Sequence, residues 1–465
     1  MKKDKKIIYP YIPNSVPEVK EAMLKEVGAA SIEEFYADIP DSIRLKRKLN
    51  LPAPLLSEHS LVRHVEKLLA KNTATHEKLN FLGAGCYQHH VPAVCDEINS
   101  RSEFLTAYAG EPYEDHGRFQ ALFEYESMMG ELLEMDVVNV PTYDGFQAAA
   151  SALRMANRIT GRGKVLLASP ISVDKYSKFN DYLKPHITIN KVPFLPKRGE
   201  KDLKSLASML SNEIAAVYFE NPSYLGMIET QGEEIASLAH QSGALVVVSV
   251  DPISLGVLNP PARYGADIVC GDLQTLGIHM LYGGGQGGFI ATQDEPRFVM
   301  EYPSRLFGVA PTIEEGEYGF GDVAYERTSF AKREEGKEWV GTAAALWGIT
   351  AGVYLALMGP AGMVELGEGI MQRTRYAMGQ IASLPDVYLP FETAYHFQEF
   401  VVNFDQTEKT VKEINQALLK HDIFGGYDLS EDFPELGQSA LFCVTEVHTK
   451  QDIDHLVSAL KEVLA

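Results

Sequence analysis

The chain has 465 residues, 45% of them apolar and 23% charged, and carries a formal charge of −21. That length exceeds one average domain, and the apolar content is ordinary for a globular protein with a sizeable core. The acidic balance argues against nucleic acid and against adhesion to an anionic membrane as partners.

The opening MKKDKKIIYPYIPN is basic but has no apolar core and no small-residue cleavage site, so it does not read as a secretory signal. Residues 1–75 read as an N-terminal helical arm. Ser31 with Glu34 fits a capping box opening SIEEFYADI. Ser57 to Asn72 places Leu61, Val65, Leu68 and Leu69 on one helix face.

From 76 to 325 strands alternate with helices, the expectation for a large α/β domain with a mainly parallel sheet covered on both faces. Arg118 to Met135 is an amphipathic helix and VVNV, at 137–140, a short buried strand. Asp144-Gly145 opens the helix FQAAASALRMANRI. KVLLAS, ITINKVPF, AAVYFE and ALVVVSV are strands, with DLKSLASML and GEEIASLAHQSG as helices between them. Residues 326–465 read as a small C-terminal α+β domain. A long helix over 337–358 ends at Gly359-Pro360 and leads to strand FQEFVVNF, helix TEKTVKEINQALLK, strand SALFCVTEV and a last helix. The apolar run from Thr342 approaches the length of a membrane span, but its small residues and charged flanks point to a buried helix.

The four cysteines, Cys86, Cys95, Cys270 and Cys443, lie too far apart for a zinc or dithiol motif and read as reduced thiols of a cytoplasmic protein. GGGQGG, Gly283 to Gly288, satisfies G-x-G-x-x-G. It precedes the strand-like FIAT instead of opening a helix, so a tight turn is the better reading than a dinucleotide site. Thr142 and Asp144 stand at a strand-to-helix junction, where free N–H groups suit a phosphate; equally, Asp144 is a plain helix cap. Asp251 ends a buried strand, where α/β sheets place ligands; it could pair with a pyridinium nitrogen or simply form a turn before Pro252. Together with the glycine turn Gly283, Gly284 and Gly285, these residues outline a pyridoxal-phosphate pocket. Such a pocket needs a lysine to hold the coenzyme, and no lysine occurs between Lys204 and Lys332. His89, His90 and His116, with Tyr87, Tyr108 and Arg118 nearby, are candidates for substrate or interface loops; their spacing suggests no metal site.

The sequence resembles the alpha subunit (subunit 1) of the two-chain glycine dehydrogenase (decarboxylating), the P-protein of the glycine cleavage system. The collinear stretches that carry the resemblance include YIPNS (11–15), SIEEFYADIPDSIRL (31–45), FLGAGCYQHHVPAV (81–94), ALFEYESMMGELLEMDVVN (121–139), YDGFQAAASALRMA (143–156), ENPSYLG (220–226) and GDLQTLGI (271–278). It implies fold type I of the pyridoxal-phosphate enzymes and a heterotetramer whose lysine-bearing beta subunit (subunit 2) binds the coenzyme covalently. Gln274, Thr275 and Leu276 fill the region where the active half carries that lysine, so no catalytic residue is expected here. The implied reaction is glycine decarboxylation with transfer of the aminomethyl group to the lipoyl arm of H-protein, the lone chain being inactive and able to form a homodimer. The sequence departs from the family at Gln88 and His90, at GEPYEDHGR (110–118) and at REEGKEWVGT (333–342). These loops leave open a paralogue acting on another amino acid, or a purely structural or regulatory subunit.

Overall fold

The computed structural model describes residues 8–47, 49–104, 116–195, 198–283, 286–337 and 344–465. The chain divides into two compact units, Met1–Asn72 and Thr73–Ala465. The first holds helices Pro17–Glu26 and Glu58–Leu69 and a 3-10 turn, Ile32–Tyr36. Ser57 caps its helix by accepting from Ser60 N. The expected capping box at Ser31 does not form. Ser31 is fully extended and makes no cap, and the Glu34 carboxylate accepts from Ala30 N instead, at 2.9 Å.

The strands of the second unit, in chain order, begin with β1 (Leu79–Asn80), β2 (Val137–Val138), β3 (Lys164–Ala168), β4 (Thr188–Val192) and β5 (Ile214–Glu220). They continue with β6 (Leu245–Val250), β7 (Ile268–Asp272), β8 (Gly288–Thr292), β9 (Phe307–Pro311) and β10 (Tyr318–Asp322). The last four are β11 (Glu399–Asn403), β12 (Ile423–Phe424), β13 (Tyr427–Asp428) and β14 (Ser439–Cys443). Seven form the central sheet in the order β2-β8-β7-β6-β5-β3-β4. The run β7-β6-β5-β3-β4 is parallel; β8 pairs antiparallel with β7, and β2 pairs antiparallel with β8 at the edge. β5 and β6 are buried along their whole length, as continuous apolar strands covered on both faces must be. One core cluster, with Val217, Val248 and Leu276, fills one face of this sheet, and another, with Leu153, Tyr218 and Ile290, the other.

A smaller sheet, β11-β14-β13, packs on helices Val411–Leu418 and Lys450–Leu464 around a separate core. β1 joins this lobe by pairing with β12 from more than 300 residues later. The helix expected over 337–358 begins at Ala345, and a kink separates it from a second helix that reaches Ala382. The break expected at Gly359-Pro360 is present: Gly359 leaves the helical backbone at φ 58°, and Pro360 starts a second helix, where its missing N–H costs nothing. By length and composition this helix could cross a membrane. Here Ala351, Tyr354 and Leu355 enter the large-sheet core, while Ala377 and Ile381 enter that of the smaller lobe.

Candidate functional site

A cleft of about 320 Å³ opens at the carboxyl ends of β5, β6 and β7, where open α/β sheets bind ligands. Tyr87, Asp144, Asp251, Gln274, Thr275 and Gly283 all line it. Gly284, Gly285 and Tyr108 lie outside the described residues. The Thr142 side chain is buried; its hydroxyl donates to the Asp144 carbonyl and its backbone pairs with Gly288. Leu276 is a core residue, and Arg118 is buried near the start of helix His116–Leu133, which His116 opens.

Asp251 is held from three sides. Thr275 Oγ1 donates to Oδ1 at 2.9 Å, Gln398 Nε2 to Oδ2 at 2.9 Å and Ile253 N to Oδ1 at 3.1 Å. Burial pushes its carboxyl above the usual range, with His89 and these donors pulling the other way. This placement suits a carboxylate facing a pyridinium ring.

The lysine region is filled by groups turned to structure. Gln274 accepts from Tyr87 N and donates to the Tyr87 and Ile278 carbonyls, at 3.0, 2.9 and 3.1 Å. It therefore clamps the Tyr87 loop over the cleft. Glu399 completes the clamp, accepting from Ala84 N at 2.6 Å and from Tyr87 Oη at 2.9 Å. Burial pushes Glu399 up to about 8. His89 and His90 both engage Glu446, through Nδ1 at 2.8 Å and the main-chain N–H at 2.6 Å. They thus fix the loop to the smaller lobe and are not among the residues lining the cleft. Among the described residues no cluster of histidine, cysteine or acidic side chains could hold a metal.

The start of helix Gly145–Thr160 decides between the two readings of Asp144. Asp144 Oδ1 accepts from Gln147 N at 2.7 Å, so it is the cap. A second carboxylate, Asp272 at the end of β7, accepts from Gly145 N at 2.8 Å and from Gln274 N at 2.8 Å. Gly145 is required for this approach, because a Cβ there would sit 2.9 Å from the Asp272 Cβ. The helix N-terminus is a favourable place for an anion, and the chain has filled it with its own. Burial, reinforced by Asp144, pushes Asp272 up to about 7. Pyridoxal phosphate does not fit this pocket: no amine stands at 274–276, and two carboxylates occupy the ground its phosphate needs.

Known proteins bear on this geometry. The model of the glycine cleavage system P-protein matches residues 10–460. The chain is 38% identical to the probable glycine dehydrogenase (decarboxylating) subunit 1 of Staphylothermus marinus, over 98% of each chain. It is 39% identical to the protein of that name from Carboxydothermus hydrogenoformans, covering 97% of this chain and 99% of the other. The chain belongs to the glycine cleavage system P-protein family. A crystal structure of glycine decarboxylase (P-protein) of the glycine cleavage system, in inhibitor-bound form, superposes with a TM-score of 0.84 at 33% identity. It covers 98% of this chain and 100% of that one. A NifS-like protein from Rickettsia africae, at 14% identity and a TM-score of 0.61, covers 83% of this chain and 99% of its own and shares the fold alone. The fold is type I of the pyridoxal-phosphate enzymes, as the sequence implied, and the family is that of a glycine-decarboxylating enzyme.

Sequence reading missed Asp272, Glu399 and Glu446. Asp272 left a signal, an acid ending a buried strand within the quoted GDLQTLGI. Glu399 and Glu446 left none, since they reach Tyr87 and His89 from 312 and 357 residues away.

Proposed function

We propose that this chain is the lysine-lacking subunit of a two-chain glycine-decarboxylating P-protein of the cytoplasm. A lysine-bearing beta subunit holds pyridoxal phosphate covalently, and the complex decarboxylates glycine and passes the aminomethyl group to the lipoyl arm of H-protein. The observation that carries this reading is the lysine-free interval between Lys204 and Lys332. It coincides with full-length similarity to proteins named subunit 1. On this reading Thr142, Asp144, Asp251 and the turn 283–285 belong to a pocket kept as architecture. Tyr87, His89, His90, Tyr108, His116 and Arg118 stand near substrate or the subunit boundary. Residues 76–325 and 326–465 act as the large and small domains, following in sequence the arm of residues 1–75.

The test is reconstitution. The purified chain mixed with pyridoxal phosphate gives no aldimine absorbance that borohydride reduces, and carbon dioxide release from glycine appears only with the lysine-bearing partner. A reducible aldimine on the lone chain refutes the proposal. Release from a different amino acid, in a panel assayed with the same partner, supports instead the paralogue suggested by the departures at Gln88 and His90.

A further inference from the structure

Residues 83–90 form a strap with neither helix nor strand, and Ala84, Gly85, Cys86 and Tyr87 wall the cleft. Its fastenings come from distant parts of the chain. Gln274 of the large sheet holds both main-chain groups of Tyr87. The smaller lobe supplies the rest: Glu399 to Ala84 and Tyr87, Thr445 Oγ1 donating to the Gln88 carbonyl at 2.7 Å, and Glu446 to His89 and His90. The strap is bent against preference where Glu399 grips it. Ala84 has φ 62° and Gly85 φ 102°, and a left-handed alanine is uncommon and strained. The bond from Ala84 N to the Glu399 carboxyl holds that turn in place, so loosening the grip also relieves strain.

The strap also covers the carboxyl that fastens it. Gly83 lies so close that a Cβ there would stand 2.4 Å from Glu399 Oε1, and Glu399 is buried. The charged groups that act on Glu399, Asp251 beyond β6 and Glu220 of β5, carry its own sign. Tyr87, Tyr224 and Cys443 face it as neutral groups, their own ionisation suppressed by burial and by Glu399. His396 meets only its main-chain oxygen, at 2.9 Å. The cations nearby are spent elsewhere: Lys175 on Glu220 at 2.5 Å and His89 on Glu446 at 2.8 Å. Under the closed strap a charge on Glu399 would thus be dry and in acidic company, whereas opening would hydrate it.

We propose that residues 83–90 are a pH-operated latch over the cleft, closed while Glu399 keeps its proton and released as a unit when Glu399 ionises. The latch belongs to the lone chain and stands whatever the assembled complex catalyses. Its sign follows from linkage. Closed, Glu399 titrates at about 8; opened to water, it returns toward its ordinary 4.5. Between those values the open form sheds a proton that the closed form retains, so opening increases with pH, at most about tenfold per unit, and levels off above the window.

Hydrogen exchange of the full-length chain from pH 5.5 to 8 tests the latch, read by mass spectrometry on peptides covering the strap and on peptides from β5 and β6. Each rate is divided by the intrinsic rate at that pH, leaving the opening constant. The strap's opening constant should rise about tenfold or more across the range, while the sheet peptides stay far better protected. Glu399→Gln keeps the shape, cannot ionise and should remove the rise. Tyr87→Phe drops one fastening and should increase opening about two- to tenfold at every pH with the slope retained. A strap whose protection in the wild-type chain does not change with pH overturns the proposal, and so does a strap that exchanges only together with the sheet. Both results come from the wild type, so the question is decided even if a variant does not fold. A wild-type slope in folded Glu399→Gln overturns it as well.

Discussion

Glu399→Gln separates the cost of a buried charge from the value of its hydrogen bonds. Glu399 is buried and titrates at about 8 against an ordinary 4.5. The folded state therefore binds its proton more tightly than the unfolded chain. Between those values the folded state holds more protons, so stability falls as pH rises through the window. Over an interval of about 3.5 pH units at about 1.36 kcal/mol per unit, the full loss is at most about 5 kcal/mol. Glutamine stands in for the neutral acid: its oxygen can accept from Ala84 N and its amide can donate to Tyr87 Oη, the two partners of Glu399. Urea unfolding of both proteins from pH 5 to 8 should show the variant close to wild type at pH 5 and clearly more stable at pH 8. Parallel curves across that range would refute the claim that Glu399 is folded as a protonated acid.

Gln274→Ala strands the Tyr87 N–H and the Tyr87 and Ile278 carbonyls, and should cost about 2–4 kcal/mol in urea unfolding. Gly226→Ala should be far worse. Gly226 has φ +87° and a Cβ there would lie 1.9 Å from the Glu399 carbonyl oxygen, so soluble yield should collapse and any folded product lose roughly 3 kcal/mol. Thr449→Ala removes one side of the capping box with Asp452 and should cost about 1 kcal/mol in the same assay, leaving the cleft untouched.

What the sequence discloses and what it hides follow from range. KVLLA and LVVVSV declare themselves as buried strands because their neighbours in the chain suffice to show it, and Asp144 before a glycine and an alanine-rich run announces a helix start. The hairpin of β9 and β10 escapes because FGVAP and YGFGD alternate small and large residues and bury only one of them. The helix beyond Gly359-Pro360 escapes because that dipeptide reads locally as the start of a loop, whereas the chain begins a second helix at Pro360. In the cleft, Asp251 and the lysine gap are visible in the chain itself. The clamps from Glu399 and Glu446 are not, because nothing local ties residue 87 to 399 or 89 to 446.

The carboxylate of Asp272 on the Gly145 amide makes the chain's condition hard to reverse. On the function proposed above, a lysine placed within 274–276 would meet a coenzyme with nowhere to rest its phosphate, and at 274 it would also release the Tyr87 loop. Clearing the acid alone would open an anchor with no amine beside it. On the function proposed above, neither change alone would give this chain a working coenzyme site, so the two would have to be made together.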